Sequence, residues 1–416
     1  MRPSCCGPIN DQPTLWEAIL PKQCLGLPPA LAVVDRLLDD PAFFAPFRPF
    51  FTLGTGRPSI PMETYLRMMF LRSRYDLGFE RLCAEVVDSL AWRRFCRIPL
   101  GDRVPHPSTL EKITSRCGEA AIAGLNETLL AKAKDAGVVR LEKIRADTTV
   151  VEANVGYPTD SGLLAKGVAR IVVIIAALHN AGLAARTKAR DRTGSVRRRA
   201  HDIAAWLRRR SDDAKAEVYA ITAEMAAIAD TSVGEARAVA RNAGRTLRGL
   251  GKAAPGRSVA LVAELDRLCG LVERVAAQTR VRLAGEIPDG SSRVVSLHDP
   301  DARPIAKGRL GKPVEFGYKA QVVDNADGIV LDHHVVMGNP PDAPMLAPAV
   351  ERIRRRFGRA PAAVTADRGY GEAKVDAELN ALGVKRVYIP RKGKPNAARK
   401  KVQRGRGFVK IGRAHV

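Results

Sequence analysis

Apolar positions recur first at helical spacing, then at strand spacing, then at helical spacing again, before strands and helices alternate toward the end of the chain. Residues 1 to about 55 open with Pro-rich loops. A short helix is predicted over Ala30–Leu38, followed by an aromatic cluster of Phe43, Phe44, Phe47, Phe50 and Phe51. Pro61 marks a helix start, and Tyr65, Met68, Met69 and Leu71 fall on one helical face. Asp76-Leu77-Gly78 breaks that helix. Phe79, Leu82, Cys83 and Val86 begin the next, and Trp92, Phe95 and Cys96 continue the pattern. In Pro105-His106-Pro107-Ser108-Thr109, Ser108 or Thr109 is the expected N-cap of a further helix, with Glu111 or Lys112 in its first turn. Helix, turn and capped helix suggest a helix-turn-helix unit carrying Lys112 and Arg116; an ordinary helical bundle fits equally well.

The period changes to two between Lys143 and Val155, where β-branched residues occupy both faces of a predicted strand that includes Asp147. Residues 160 to 287 return to helical spacing, with Ala-rich segments at Asp213–Ala229 and Leu261–Ala284. Strands are predicted at Arg293–Leu297, Phe316–Val323 and Ile329–Val336, the last two joined through Asp324-Asn325-Ala326-Asp327-Gly328 as a hairpin. A helix over Ala343–Phe357, a strand at Ala362–Ala366, a helix over Gly371–Leu382 and a strand at Arg386–Pro390 complete the pattern. Hairpin strands followed by a β-α-β run imply a mixed α/β sheet, with a large helical insertion between its first strand and the rest.

Charge changes the picture. The 416 residues carry 68 Lys and Arg against 44 Asp and Glu, a formal charge of +24. That balance calls for a polyanionic partner, most simply nucleic acid, with an acidic membrane surface or a ribosomal location as the alternatives. Ten of the Lys and Arg lie between Arg186 and Arg210, against two aspartates. Arg197, Arg198, Arg199, Arg208 and Arg209 there form either a phosphate-contacting face or a solvated helix surface. The seven cysteines are scattered with no C-x-x-C pair, which excludes a zinc site or disulfide framework and fits a reducing cytoplasm. No signal-peptide core opens the chain, and the longest apolar run, Ile171–Leu178, is far short of a membrane span, so a soluble, cytoplasmic protein with no membrane partner is expected.

Two aspartates then stand out. Asp147 lies in the first predicted strand. Asp367 follows the apolar run Ala362-Ala363-Val364-Thr365-Ala366 and opens the turn Arg368-Gly369-Tyr370-Gly371. A lone carboxylate in a buried strand is costly, so Asp147 needs either a salt bridge to Arg145 or Lys143, or a metal. Carboxylates on neighbouring strands can hold Mg²⁺ or Mn²⁺, hard cations that take oxygen ligands, for phosphoryl transfer. Arg368, Lys392 and Lys394, close to the second aspartate, join the candidate DNA contacts. His298, His333 and His334 are either site-lining or structural.

The blocks Ile144-Arg145-Ala146-Asp147-Thr148-Thr149 and Thr365-Ala366-Asp367-Arg368-Gly369-Tyr370 resemble the first two acidic motifs of bacterial insertion-sequence DDE transposases. Ser296-Leu297-His298-Asp299-Pro300-Asp301, Gly317-Tyr318-Lys319-Ala320-Gln321 and Asn339-Pro340-Pro341-Asp342-Ala343 resemble that family's core, and Arg57-Pro58-Ser59-Ile60-Pro61 with the following helices its N-terminal DNA-binding domain. The resemblance spans roughly residues 25 to 410. It implies an RNase H-like catalytic core split into residues 136–160 and 290–409, a helical insertion at 161–289, and an all-helical DNA-binding domain over 1–135. It also implies Asp147 and Asp367 as catalytic metal ligands for Mg²⁺ or Mn²⁺. The activity implied is cleavage at insertion-sequence ends and strand transfer into target DNA, by a homodimer holding two ends.

The family pattern expects a third carboxylate, a glutamate on a helix after the last strand. From Arg391 to Val416 there is no Asp or Glu. Glu372 and Glu378 come too early and read as a first-turn capping charge and a surface residue. Lys410-Ile411-Gly412-Arg413-Ala414-His415-Val416 can be back-translated into the start of a sequencing adapter, so residues 410–416 are expected to be non-native and the chain truncated. Three functional readings follow: a transposase, a catalytically inactive DNA-binding fragment that competes with the full-length enzyme, or a related nuclease that cuts without strand transfer.

Overall fold

The fold was obtained as a computed structural model, which describes residues 19–21, 26–51, 59–209, 212–307, 313–393, 400 and 404–405. Arg57, Pro58, Lys394 and the expected non-native tail 410–416 lie outside the described residues. The chain divides into two compact units, Met1–Val139 and Arg140–Val416.

The first unit is helical. Its helices are α1 (Pro29–Leu38), α2 (Met62–Arg74), α3 (Phe79–Asp88), α4 (Leu90–Phe95) and α5 (Pro107–Asp135). The spacing that predicted them also fills their core: Phe47, Tyr65, Met68, Leu71, Leu82, Phe95 and Leu110 are fully buried or nearly so. Asp76 adopts a left-handed φ of 50° at the break between α2 and α3. Arg67 is 0% exposed within this core, which only its partners make tolerable. Its guanidinium donates to Glu63 at 2.9 Å, to Asp39 at 2.7 Å and to Asp35. The N-cap of α5 is His106, not Ser108 or Thr109. Its Nδ1 accepts from the Ser108 N–H at 3.2 Å, because Pro107 has no N–H to leave unpaired and so takes the first helical position. Gly118 (φ 61°, ψ −163°) kinks α5 just after Lys112 and Arg116.

The second unit is a mixed α/β body around a six-stranded sheet. Its strands are β1 (Ile144–Glu152), β2 (Arg303–Ala306), β3 (Val314–Asn325), β4 (Val330–Val336), β5 (Ala363–Ala366) and β6 (Arg386–Tyr388). The long β3 pairs antiparallel with β1 along one edge. Its other edge is shared: β2 takes the first half and β4 the second. The β3–β4 connection is the expected hairpin, closed by Asn325 and Ile329 and turned at Gly328 (φ 78°). Beyond β1 the sheet continues in parallel with β5 and then β6. Helices α10 (Ala343–Phe357) and α11 (Ala373–Ala381) connect these last strands.

Between β1 and β2 the chain forms α6 (Asp160–Asn180), α7 (Thr193–Trp206), α8 (Asp212–Leu250) and α9 (Gly256–Leu283). Leu164, Val168, Ile171 and Leu178 of α6 share one core with Val239 of α8 and with Leu268 and Val275 of α9. Each such side chain contributes about 1.5–3 kcal/mol by leaving water. Helix α6 is long and apolar enough to cross a membrane, yet these residues are the core of its own bundle.

Two strand expectations fail, for different reasons. Arg293–Leu297 is extended and largely buried but joins no ladder. The side chain of Gln278 on α9 takes its place: Oε1 accepts the Val294 N–H at 2.9 Å and Nε2 donates to the Val294 carbonyl at 3.1 Å. An amide side chain thus supplies the bonds a neighbouring strand would have given. Strand β2, which the pattern does not show, forms because the first half of β3 has a free edge for it.

Candidate active site

The register of β1 against β5 decides where the two aspartates go. The parallel ladder pairs Ile144 with Val364, Arg145 with Thr365 and Ala146 with Ala366, and stops there. The next residue on each strand is the aspartate. Residues over two hundred positions apart in sequence thus stand side by side, one strand spacing of about 4.8 Å apart, on the same side of the sheet. Because β5 ends at this point, β1 loses its neighbour on that side. Asp147 is therefore exposed, not buried as the strand pattern implied.

A cleft of ≈ 540 Å³ opens there, lined by Asp147, Lys307, Lys319, Asn339, Asp342 and Asp367 among others. Each catalytic-candidate carboxylate is steadied by a backbone amide. The Thr148 N–H donates to Asp147 Oδ1 at 2.8 Å, and the Gly369 N–H to Asp367 Oδ1 at 2.8 Å. Neither carboxylate makes an ion pair among the described residues; Arg145, the expected partner, bonds instead to Asp324 opposite it on β3. Beneath the turn, Tyr370 is a fully buried plug whose hydroxyl lies 3.2 Å from Gln321 Nε2 on β3. Asp367 reaches solvent, yet the cleft walls surround it. That burial raises its carboxyl above the ordinary 3.8; the Gly369 N–H works against the rise, and the negative charges of Asp342 and Asp147 add to it.

Asp342 is the residue that sequence reasoning did not assign to the site. It precedes α10, and its Oδ1 lies 2.5 Å from Lys319 Nζ. That ammonium, on a residue only 6% exposed, also donates to Pro340 O at 2.7 Å and Asn339 Oδ1 at 3.2 Å. Asp342 Oδ2 packs against Gly369: a Cβ there would lie 2.6 Å from it and 3.0 Å from Asp367 Oδ1. The available signal was Asn339-Pro340-Pro341-Asp342 itself, a stiff turn ending in a carboxylate. Nothing local says where such a turn points.

The other candidates separate. Lys112 and Arg116 are exposed on α5 of the first unit, one helical turn apart, with Arg116 5.8 Å over the Phe51 ring. Arg197, Arg198, Arg208 and Arg209 are exposed on or just after α7, and Arg209 stacks 4.2 Å over Trp206. Arg199 is not a free cation, since Glu224 holds it at 2.7 Å. Lys392 is held at 2.7 Å by Glu372, which makes no capping bond to α11. Arg368 donates to the Gly393 carbonyl at 2.7 Å, and Glu378 is 3.7 Å from Lys374. His298 lines a different cavity, and His333 and His334 lie on β4, outside the lining of the cleft. Among the described residues, no group of three or more His, Cys, Asp or Glu is gathered closely enough to hold a metal ion.

Comparison with known proteins adds two domains. Residues 16–116 match the Transposase domain (DUF772), and residues 287–415 match the Transposase DDE domain. Over 138 residues, 32% of this chain, the sequence is 27% identical to the "Uncharacterized protein ORF8 in nfe locus" of Rhizobium meliloti. The match spans 64% of that relative's length. No solved structure matches. With a transposase domain on either side of the helical insertion, together covering more than half of its length, the chain belongs to the DDE transposases of insertion-sequence type.

Proposed function

We propose that this chain binds the ends of an insertion sequence and catalyses their cleavage and transfer at the cleft between Asp147 and Asp367. One observation carries the reading: the last paired position of β1 and β5 is followed on both strands by an aspartate that makes no ion pair among the described residues. The sheet order supports an RNase H-like core, with a long antiparallel pair at one end and parallel strands at the other.

The donor set suits Mg²⁺ or Mn²⁺, since both aspartates offer hard oxygen atoms and no thiolate or imidazole lines the cleft. When bound, such an ion supplies an activated attacking oxygen and stabilises the leaving one. The chain's part is positional. The Thr148 and Gly369 amides fix the carboxylates, Tyr370 and Gln321 fix the turn, and Lys319 holds Asp342 beside them. Exposed Arg197, Arg198, Arg208, Arg209, Lys112 and Arg116 serve as DNA contacts, each neutralising one phosphate. Holding two ends at once requires two copies of the chain on DNA.

A second reading has its own support. With no three-residue metal cluster among the described residues, the chain acts as a DNA-binding fragment that occupies ends without cutting. Duplexes carrying the element's own ends, incubated with Mg²⁺ or Mn²⁺, separate the two. Cleavage lost in Asp147→Asn and Asp367→Asn establishes the catalytic reading. End-binding with no cleavage in the unmodified protein replaces it with the second.

A further inference from the structure

A second cavity, ≈ 640 Å³, lies where the chain leaves β1 and enters α6. Its floor is apolar, with Leu163, Ile174 and Leu297. Its rim carries Tyr157, Lys166, Arg170 and His298. Among the described residues, no Asp or Glu lines it. Lys166, Arg170 and Val173 repeat at helical spacing, so one face of α6 forms the wall.

Two features are expensive unless something uses them. Tyr157 is 85% exposed, yet its ring is fixed at 87° to Phe316 with centroids 5.9 Å apart. Val173, beside it on the wall, is 67% exposed on a helix whose other apolar residues are mostly buried. A positioned aromatic ring and an apolar floor suit a planar heterocycle. Lys166, which makes no ion pair among the described residues, and His298 suit the phosphate attached to it. Arg170 is shared with Glu264 at 3.2 Å and so serves the rim only in part.

We propose that this cavity holds one unstacked nucleotide of a DNA strand, its base against Tyr157 and the apolar floor, its phosphate on Lys166 and His298. The proposal borrows from the functional reading above only the identity of the polyanion. Asn154, at the cavity, lies seven steps along β1 and its extension from Asp147, roughly 20 Å by the strand rise. A strand engaged at the cleft thus has a second anchor along β1. An apolar peptide would leave the acid-free basic rim without a role.

The test uses the full chain and a single-stranded oligonucleotide of about 15 nucleotides carrying 5-iododeoxyuridine. Irradiation is expected to cross-link a peptide containing Tyr157. Tyr157→Ala, which removes an exposed ring, and Val173→Asp, which places a charge on the wall, should each weaken single-strand binding about tenfold, more than duplex binding. Circular dichroism checks that both variants fold. Cross-links confined to other peptides overturn the proposal, as does equal weakening for single and double strands. Failure of the unmodified protein to bind duplex ends would instead sink the functional reading, so the two failures are distinguishable.

Discussion

Replacing Lys319 by Met tests the floor of the cleft. The substitution keeps the aliphatic stem and removes the ammonium. The oxygens of Asn339 and Pro340 lose their donor, and Asp342 loses its counter-charge, together. The Lys319 and Asp342 side chains are only 8% and 20% exposed, so water repairs little of this. Removing one partner of a buried pair costs about 3–5 kcal/mol, and the partial exposure of Asp342 lowers the expectation to about 2–3 kcal/mol. Asp342→Asn keeps an oxygen for the ammonium and should cost about 1 kcal/mol. The double variant is the informative one. With neither charge present, no carboxylate is stranded beside Asp367, so it should be more stable than Lys319→Met alone by about 1 kcal/mol. Hydrogen exchange in peptides from β3 and α10 reads these differences locally, at about tenfold in rate per 1.4 kcal/mol. Strict additivity of the two single changes would refute the claim that Lys319 exists to hold and neutralise Asp342.

Other expectations follow from the same geometry. Asp367 has a folded-state carboxyl raised above 3.8 by burial and by Asp342 and Asp147, so its ionisation costs stability at neutral pH. Asp367→Asn should therefore raise the melting temperature at pH 7, with the gain shrinking as pH falls toward 4; a gain independent of pH would refute this. Arg67→Ala leaves Asp35, Asp39 and Glu63 to Arg97, which also pairs with all three, and should cost about 2–3 kcal/mol in thermal unfolding, less than for a fully stranded buried charge, with Lys restoring only part because it lacks the planar fork. Gly371→Ala puts a methyl against the Pro390 carbonyl, a backbone atom that cannot step aside. It should reduce exchange protection across β5 and β6, and unchanged protection would count against that close approach.

Sequence alone revealed what depends on period and on punctuation. Ala343–Phe357 forms at the predicted bounds, because Pro344 near its start, an apolar stripe and Gly358 (φ 76°) after its end all agree. Asp367 is legible because it follows a short apolar run that reads as a strand, and Asp147 because it lies in a β-branched stretch of period two. Asp342 is not, since its place depends on Lys319 reaching it from another strand. Arg293–Leu297 has strand composition but forms no ladder, because Gln278 satisfied it first. His106 was passed over as a cap because imidazole is an uncommon one; the proline beside it decided the matter. Exposed arginines were readable as a class, but which of them are free was not: Arg199 and its neighbour Arg198 differ only in whether a glutamate lies within reach.

The pairing of β1 with β5 has a consequence in time. A ribosome making this chain releases Asp147 long before Asp367, with helices α6 to α10 between them. At about 5–20 residues per second, the delay is on the order of ten seconds or more. Through that interval the nascent protein can fold its first unit and much of the helical bundle while the paired carboxylates do not yet exist. Any chain interrupted before β5 would carry the basic helices of the bundle without the cleft.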